Sequence, residues 1–162
     1  MTNYSIRNHL IPGDLSKLAN LHAKIYFEEH GFEIGFEAYV MESVVEFFRQ
    51  YDPNLDRVWI VEENEVMVGF VLLMHRPQNE AQLRYFILEK SHRGKGIGSK
   101  LMQEWMDFFR EKNYRSAYLY TTSGLDPAIH LYEKHGFKKI SEQISTDFGI
   151  RMLEMYYRLD QL

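Results

Sequence analysis

Apolar residues recur every three to four positions in two early stretches of the chain, and this spacing predicts helices over residues 14–31 and 36–50. Pro12 and Gly13 precede the first helix, and Asp14 is predicted to cap its N-terminus. A short strand over residues 4–7 is expected before it. The loop around Pro53 ends the second helix.

The next apolar stretches are short, with the length typical of β-strands. Residues 58–61, 66–74 and 81–88 are predicted strands, with turns over residues 62–65 and 77–80 between them. Strands joined by such short turns are expected to run antiparallel.

The second half of the chain alternates helices and strands. A strongly amphipathic helix follows residue 96, and a strand is predicted over residues 117–122. Asp126 and Pro127 predict a helix start with a capping carboxylate, and Gly136 marks the end of that helix. Strands over 137–144 and 148–159 close the chain. The order β-α-α-β-β-β-α-β-α-β-β predicts an α/β fold with a mixed central sheet flanked by helices, in a single domain spanning residues 1–162.

Composition narrows the classes of function. The 162 residues contain no cysteine, which excludes disulfides, thiolate metal sites and a cysteine nucleophile. The net charge of −4 argues against a nucleic-acid partner. Because no signal-peptide pattern or apolar stretch of membrane-spanning length occurs, we expect a cytoplasmic protein with no membrane partner. The histidines show no metal-binding spacing, so no metal is expected.

A glycine-rich segment lies between a predicted strand and a predicted helix. It consists of Arg93, Gly94, Lys95, Gly96, Ile97, Gly98 and Ser99. Backbone N–H groups of such a loop, together with the helix N-terminus, bind phosphate or pyrophosphate. A Walker A loop is excluded because the lysine follows Ser99 instead of preceding it. A dinucleotide loop is excluded because the next strand ends in Thr121-Thr122-Ser123, without an acidic residue.

Two segments resemble the GCN5-related N-acetyltransferase (GNAT) family. Arg93, Gly96 and Gly98 match its Arg/Gln-x-x-Gly-x-Gly/Ala loop, and residues 128–137 resemble its A-I-x-L-Y-E-K-x-G-F segment. The predicted element order agrees over essentially the whole chain. A finer resemblance, carried by Leu83-Arg84, residues 121–123 and residues 146–149, is to acetyltransferase domains fused to MarR-type regulators.

The resemblance implies an enzyme that transfers an acetyl group from acetyl-CoA to a primary amine by direct attack. By analogy with the family, Phe86, Ile87 and Leu88 hold the pantetheine arm, and residues 93–99 hold the pyrophosphate. A backbone N–H near Leu88 stabilises the oxyanion. Tyr132 matches the family tyrosine that protonates the departing CoA thiolate, although its helical spacing also suits a core aromatic.

The acceptor side is less determined by the sequence. Glu80 is the candidate general base, while Glu62 and Glu89 also suit solvated strand ends. Arg84 is predicted either to pair with a buried carboxylate or to bind a carboxylate of the acceptor. Glu28, Glu29 and His30 are candidates for recognising the amine, or else a charged helix end.

Two functions therefore compete at this point. The main hypothesis is the N-acetyltransferase, and the alternative is a non-catalytic sensor or interaction module that binds acyl-CoA. Tyr132 favours the enzyme because a sensor needs no proton donor. A homodimer is also considered, with the second helix as core or as a dimer face.

Overall fold

The computed structural model describes residues 3–148 and 150–161, and the element order in them confirms the predicted one. The strands are β1 (Ser5–Arg7), β2 (Arg57–Glu63), β3 (Val66–Arg76), β4 (Glu80–Leu88), β5 (Ser116–Thr122), β6 (Lys138–Ser145) and β7 (Met152–Asp160). The helices are α1 (Asp14–His30), α2 (Ile34–Gln50), α3 (Ile97–Glu111) and α4 (Asp126–Lys134). Short 3-10 turns follow β3 at Pro77–Asn79 and β4 at Lys90–His92.

The strands form one mixed sheet in the order β1-β2-β3-β4-β5-β7-β6. Strands β4 and β5 are parallel, and the other neighbouring pairs are antiparallel. Helices α1 and α2 cover one face of the sheet, and α3 and α4 supply the buried side chains on the other. The predicted mixed sheet flanked by helices is therefore confirmed.

The β2–β3 hairpin is tighter than predicted. Asn64 and Glu65 both have positive φ, 50° and 65°, and Glu63 pairs with Val66. This is the backbone of a two-residue hairpin turn whose twist matches that of the strands. Glu62 and Glu63 therefore belong to β2, although the sequence suggested that they form part of the turn.

Neither predicted aspartate cap is present. Gly13, with φ of 99°, occupies the N-cap position of α1, and Asp14 is the first helical residue. The Asp14 carboxylate is buried and accepts hydrogen bonds from the Arg7 guanidinium at 2.7 and 3.0 Å and from the Ile11 N–H at 2.8 Å. Within the described residues, Asp126 likewise makes no side-chain capping bond, and Leu125 precedes α4.

Strand β7 begins at Met152, four residues later than predicted. Phe148 instead packs against the rings of Tyr39, Phe36 and Phe32, at centroid distances of 4.8, 5.3 and 5.9 Å. Gly149, which was included in the predicted strand, lies outside the described residues. None of the described helices is long and apolar enough to cross a membrane.

Candidate active site

The sheet opens between its two central parallel strands. Strands β4 and β5 pair only over Glu80–Gln82 and Ser116–Tyr118, although β4 continues to Leu88 and β5 to Thr122. Beyond these pairs the two strands separate. The backbone of one strand is therefore exposed to a ligand in the split instead of to its neighbour.

A β-bulge lies in β4 beside this split. Leu72 pairs with Arg84 and Phe70 with Ile87, so that Val71 is opposite two residues, Tyr85 and Phe86. Tyr85 has φ of 56°, which is unusual for a residue with a bulky side chain. The bulge changes the alternation of side chains along β4 and re-aims the strand where the split begins.

The side chain of Tyr85 holds this strained conformation in place. Its hydroxyl lies 2.6 Å from the Ser43 hydroxyl on α2, and its ring packs against His22, Phe47 and Phe70. Phe86 points to the opposite face, where its ring lies 6.0 Å from that of Tyr132. The two bulge residues thus connect the split to both helical layers.

Backbone direction places the Leu88 N–H in the split. The next N–H along the chain, that of Glu89, donates to the Val68 carbonyl of β3 at 2.8 Å. Because successive N–H groups of a strand point to opposite sides, the Leu88 N–H points away from β3 and toward β5.

The glycine loop has the geometry of an anion cradle. Gly94 and Gly96 have positive φ, 72° and 84°, which L side chains rarely adopt. The backbone N–H of Lys100 donates to the Gly96 carbonyl at 3.0 Å as the first turn of α3 closes. The preceding N–H groups of Ile97, Gly98 and Ser99 are those that a helix N-terminus offers to an anion.

Gly98 lies where the loop, β4 and α4 meet. A Cβ at this position would lie 3.4 Å from Cδ1 of Leu131 and 3.7 Å from Cζ of Phe86. Phe86 in turn packs against Tyr132. The glycine loop and Tyr132, which are far apart in sequence, are therefore brought to the same end of the split.

Tyr132 is 5% exposed and packs between Phe86 and Phe137. Burial raises the pKa of its phenol well above the ordinary value of 10, and the neighbouring phenol of Tyr26 adds to the rise. Among the described residues, its hydroxyl forms no side-chain hydrogen bond, and its oxygen is not one of the fully buried atoms that lack a partner. Tyr132 therefore lines the split with a hydroxyl that is protonated at neutral pH.

Arg93 connects the loop to α1. Its guanidinium pairs with both carboxylate oxygens of Glu29, at 2.6 and 2.7 Å, and its Nε donates to the Leu88 carbonyl at 2.8 Å. The hydrogen bonds from Arg93 hold the pKa of Glu29 below its usual value. The structure thus pairs Glu29 with the loop arginine, an arrangement that the sequence did not suggest.

The other two candidates for recognising the amine lie apart. Glu28 is exposed and lines a small surface pocket together with Glu29, Lys24 and Ser91. The ring of His30 packs against Tyr26 and Phe32, at centroid distances of 5.4 and 6.2 Å. Glu28 and Glu29 therefore line the same pocket, whereas His30 lies among the aromatic rings and does not join them.

The structure corrects the prediction for Glu80. This residue begins β4, eight residues before Leu88, which is roughly 26 Å along a strand. Its carboxylate accepts a hydrogen bond from Arg158 at 3.0 Å where β4 and β5 are still paired. Glu80 therefore belongs to the closed end of the sheet and is too far away to take a proton from an amine at Leu88.

Arg84 lies on β4 beside the bulge, and its guanidinium lies 4.8 Å from the centre of the Tyr85 ring. Over residues 3–148 and 150–161 it makes no ion pair, so the predicted pairing with a buried carboxylate is wrong. The guanidinium is half-buried near the split and keeps its donors for a ligand.

Sequence reasoning missed the aromatic groups that α1 supplies. Burial raises the pKa of Tyr26 to about 12 and lowers that of His22 to about 4, so both are neutral at pH 7. His22 stacks on Tyr26 and meets the Tyr85 ring edge-on. Their spacing of four residues on a helix was the available signal.

The part of the chain that is described contains no cluster of three or more metal-ligating side chains.

Comparison with known proteins gives the family. The sequence model of the acetyltransferase (GNAT) family matches residues 16–137. The chain is 32% identical over 147 residues to the probable N-acetyltransferase camello of Xenopus laevis, covering 84% of this chain and 64% of that protein. The chain spans about half of the length of another curated relative, N-acetyltransferase 8F1 of Rattus norvegicus.

Solved structures share the fold. An acetyltransferase from Streptococcus agalactiae 2603 superposes with a TM-score of 0.78 at 23% identity, covering 99% of this chain and all of that one. The structure of yncA from Salmonella typhimurium, which contains its cofactor acetyl-CoA, gives a TM-score of 0.73 at 17% identity, and the match covers 97% of this chain and 93% of that one. Together with the family match, the split sheet and its glycine loop show that this chain belongs to the acetyltransferase (GNAT) family.

Proposed function

We propose that residues 1–162 act as one domain that transfers the acetyl group of acetyl-CoA to a primary amine. The observation that carries the proposal is the meeting of three groups at one end of the split: the glycine loop before α3, the Leu88 N–H and the hydroxyl of the buried residue Tyr132. The acetyl-CoA in the yncA structure supports this choice of donor.

Each part of the donor has a matching part of the site. Residues 93–99 bind the pyrophosphate, mainly through the N–H groups at the start of α3. Phe86, Ile87 and Leu88 hold the pantetheine arm along the strand edge that β5 leaves unpaired. The arm thereby forms hydrogen bonds with β4 much as a neighbouring strand would.

The reaction is a direct attack within a ternary complex. The amine nitrogen bonds to the thioester carbonyl carbon, and the oxyanion that forms accepts a hydrogen bond from the Leu88 N–H. The C–S bond then breaks, and Tyr132 donates its proton to the departing thiolate. Because burial raises the pKa of the Tyr132 phenol, it is protonated at neutral pH before the reaction begins.

The acceptor enters from the α1 and α2 side. Arg84 lies there without a carboxylate partner among the described residues, and it is assigned to bind a carboxylate of the acceptor. Glu28, Glu29 and His30 remain proposed contacts for the amine end. In this role Glu29 must first leave Arg93. The nitrogen loses one proton as the amide forms, and that proton passes to the Tyr132 phenolate, directly or through water, so that the phenol is restored.

The direct test is to incubate the protein with acetyl-CoA and separate classes of amine, and to follow thiol release and the mass of the product. Polyamines, amino acids, aminoglycosides and peptides with free N-termini span the range of acceptors. Acetylated product with equal thiol release supports the enzyme. Tight binding of acetyl-CoA with no product from any class would instead support the acyl-CoA sensor.

The cytoplasmic location, the lack of nucleic-acid and membrane partners and the kinship with MarR-fused domains stay predictions.

A further inference from the structure

Helix α2 carries a second row of apolar side chains on the face that points away from the core. Its buried face packs on the sheet through Phe36, Val40, Val44 and Phe47. The outer seam, as we name it, consists of Ile34, Ala38, Met41, Val45 and Phe48. Its four large side chains are between 44% and 77% exposed.

The spacing of the outer seam is that of a helix–helix interface. Its members follow one another at intervals of four, three, four and three residues, which is the repeat that keeps an apolar row facing a partner helix. A helix that is apolar on two faces normally buries both of them. We therefore expect another apolar surface to cover the outer seam.

Charged residues line one flank of the seam. Glu42, Glu46 and Arg49 border a shallow groove of about 460 Å³ beside Met41 and Val45. Glu42 and Arg49 lie on the same side of α2, two turns apart, and neither forms an ion pair within the described residues. Arg49 is the one basic residue in α2.

We propose that the outer seam packs antiparallel against α2 of a second copy of this chain, around a two-fold axis near Val45. In an antiparallel pair related by such an axis, each flank faces the same flank of the other copy. Glu42 then faces Arg49 of the second copy, and symmetry repeats the contact. A parallel pair would bring Glu42 near Glu37 and leave Arg49 without a carboxylate.

The charges of α2 favour a second copy over a lipid surface. Helices that lie on membranes carry Lys and Arg on their polar face. The charged residues of α2 are instead three glutamates and one arginine: Glu37, Glu42, Glu46 and Arg49. Anionic lipids would repel this face, whereas a copy of the same helix complements it.

An interface of one helix pair is small, at the lower end of the size of stable interfaces, so the dimer is expected to dissociate on dilution. The experiment is sedimentation velocity of the full chain over a wide range of concentration. The variant Val45→Arg places a charge at the centre of the seam without touching the core. Val66→Arg, at the similarly exposed tip of the β2–β3 hairpin, is the matched control.

The wild type and Val66→Arg are expected to reach the mass of two copies, and Val45→Arg to remain a monomer at every concentration. Glu42→Arg and Arg49→Glu are each expected to weaken association at least tenfold, and the double variant to restore it. A wild type that stays monomeric, or a dimer that survives Val45→Arg, would overturn the proposal. So would a monomer that instead binds vesicles containing phosphatidylserine, because the seam would then contact lipid.

Discussion

Replacing Tyr132 by phenylalanine removes one hydroxyl from the split and keeps the buried ring. The ring contacts with Phe86 and Phe137 remain. Because the hydroxyl forms no side-chain hydrogen bond within the described residues, its loss leaves no partner group unpaired. The free energy of unfolding is therefore expected to change by less than about 1 kcal/mol, and acetyl-CoA affinity to stay the same.

Turnover is expected to fall strongly. At neutral pH a thiolate whose conjugate acid has a pKa of roughly 8.5 departs faster when it is protonated as the C–S bond breaks. Loss of a general acid lowers the rate by about 10²–10⁴, which corresponds to roughly 3–5 kcal/mol in the barrier. The assay is steady-state kinetics of thiol release with an accepted amine, comparing the wild type with Tyr132→Phe.

Tyr114→Phe is the matched control. Tyr114 is also buried, but its hydroxyl donates to the Leu55 carbonyl at 2.7 Å, away from the split. This variant should lose about 1 kcal/mol of stability and keep its turnover, the reverse of Tyr132→Phe. Full activity of Tyr132→Phe would refute the reasoning and make Tyr132 a core aromatic.

The pH profile gives a second check on the same residue. Burial raises the pKa of Tyr132 above 10, so the phenol keeps its proton up to that pH. Activity should therefore rise with pH as the amine loses its proton and should not fall before pH 10. A falling limb near pH 8 that disappears in Tyr132→Phe would contradict the raised pKa.

Two further changes test other parts of the molecule. Arg84→Met should raise the KM for a carboxylate-bearing amine about 10- to 100-fold, because a charged hydrogen bond is lost. Calorimetry should show unchanged acetyl-CoA affinity. A lower melting temperature with an unchanged KM would instead mean that Arg84 has a structural role. Asp14→Asn should cost about 3 kcal/mol because Arg7 loses a buried partner, a drop of roughly 6–12 °C in melting temperature. Burial acts to raise the pKa of Asp14, but the bonds from Arg7 and Ile11 outweigh it and the pKa is lowered. The wild type should therefore keep this stability above about pH 4 and lose it as the pH falls through the lowered pKa, whereas Asp14→Asn should lack that dependence.

The hydrophobic period was enough to predict the order of helices and strands because each element buries one periodic face. It could not predict which partner a polar group would find across the fold. The residues around Asp14 in sequence predict a helix cap, yet its carboxylate accepts hydrogen bonds from Arg7 in β1. Phe148 reads as strand for the same reason, and it joins the aromatic side chains of α2 instead.

The glycine loop and Tyr132 could be singled out from sequence because each belongs to a local motif. The bulge at Tyr85 has no local signal, since its positive φ depends on packing against Ser43, Phe47 and His22. Glu80 fails as a base for a related reason. Its place in the predicted turn just before a strand does not say which end of the sheet stays closed.

Binding of acetyl-CoA by the glycine loop is the central claim, and two matched glycines test it. Gly98 and Gly35 are each the second residue of a helix and each follow an isoleucine, Ile97 and Ile34. A Cβ on Gly35 meets nothing within 4 Å, whereas one on Gly98 points toward Leu131 and Phe86 beside the cradle. Valine costs both helices the same intrinsic propensity.

The decisive measurement is calorimetric titration of acetyl-CoA into the wild type, Gly35→Val and Gly98→Val, each checked for its fold by circular dichroism. The wild type and Gly35→Val are predicted to bind with equal affinity. Gly98→Val is predicted to stay folded and lose binding, because its methyl groups crowd Leu131 and Phe86 and displace the start of α3, whose N–H groups bind the pyrophosphate. Equal affinity in a folded Gly98→Val variant, or no binding by the wild type, would contradict the account.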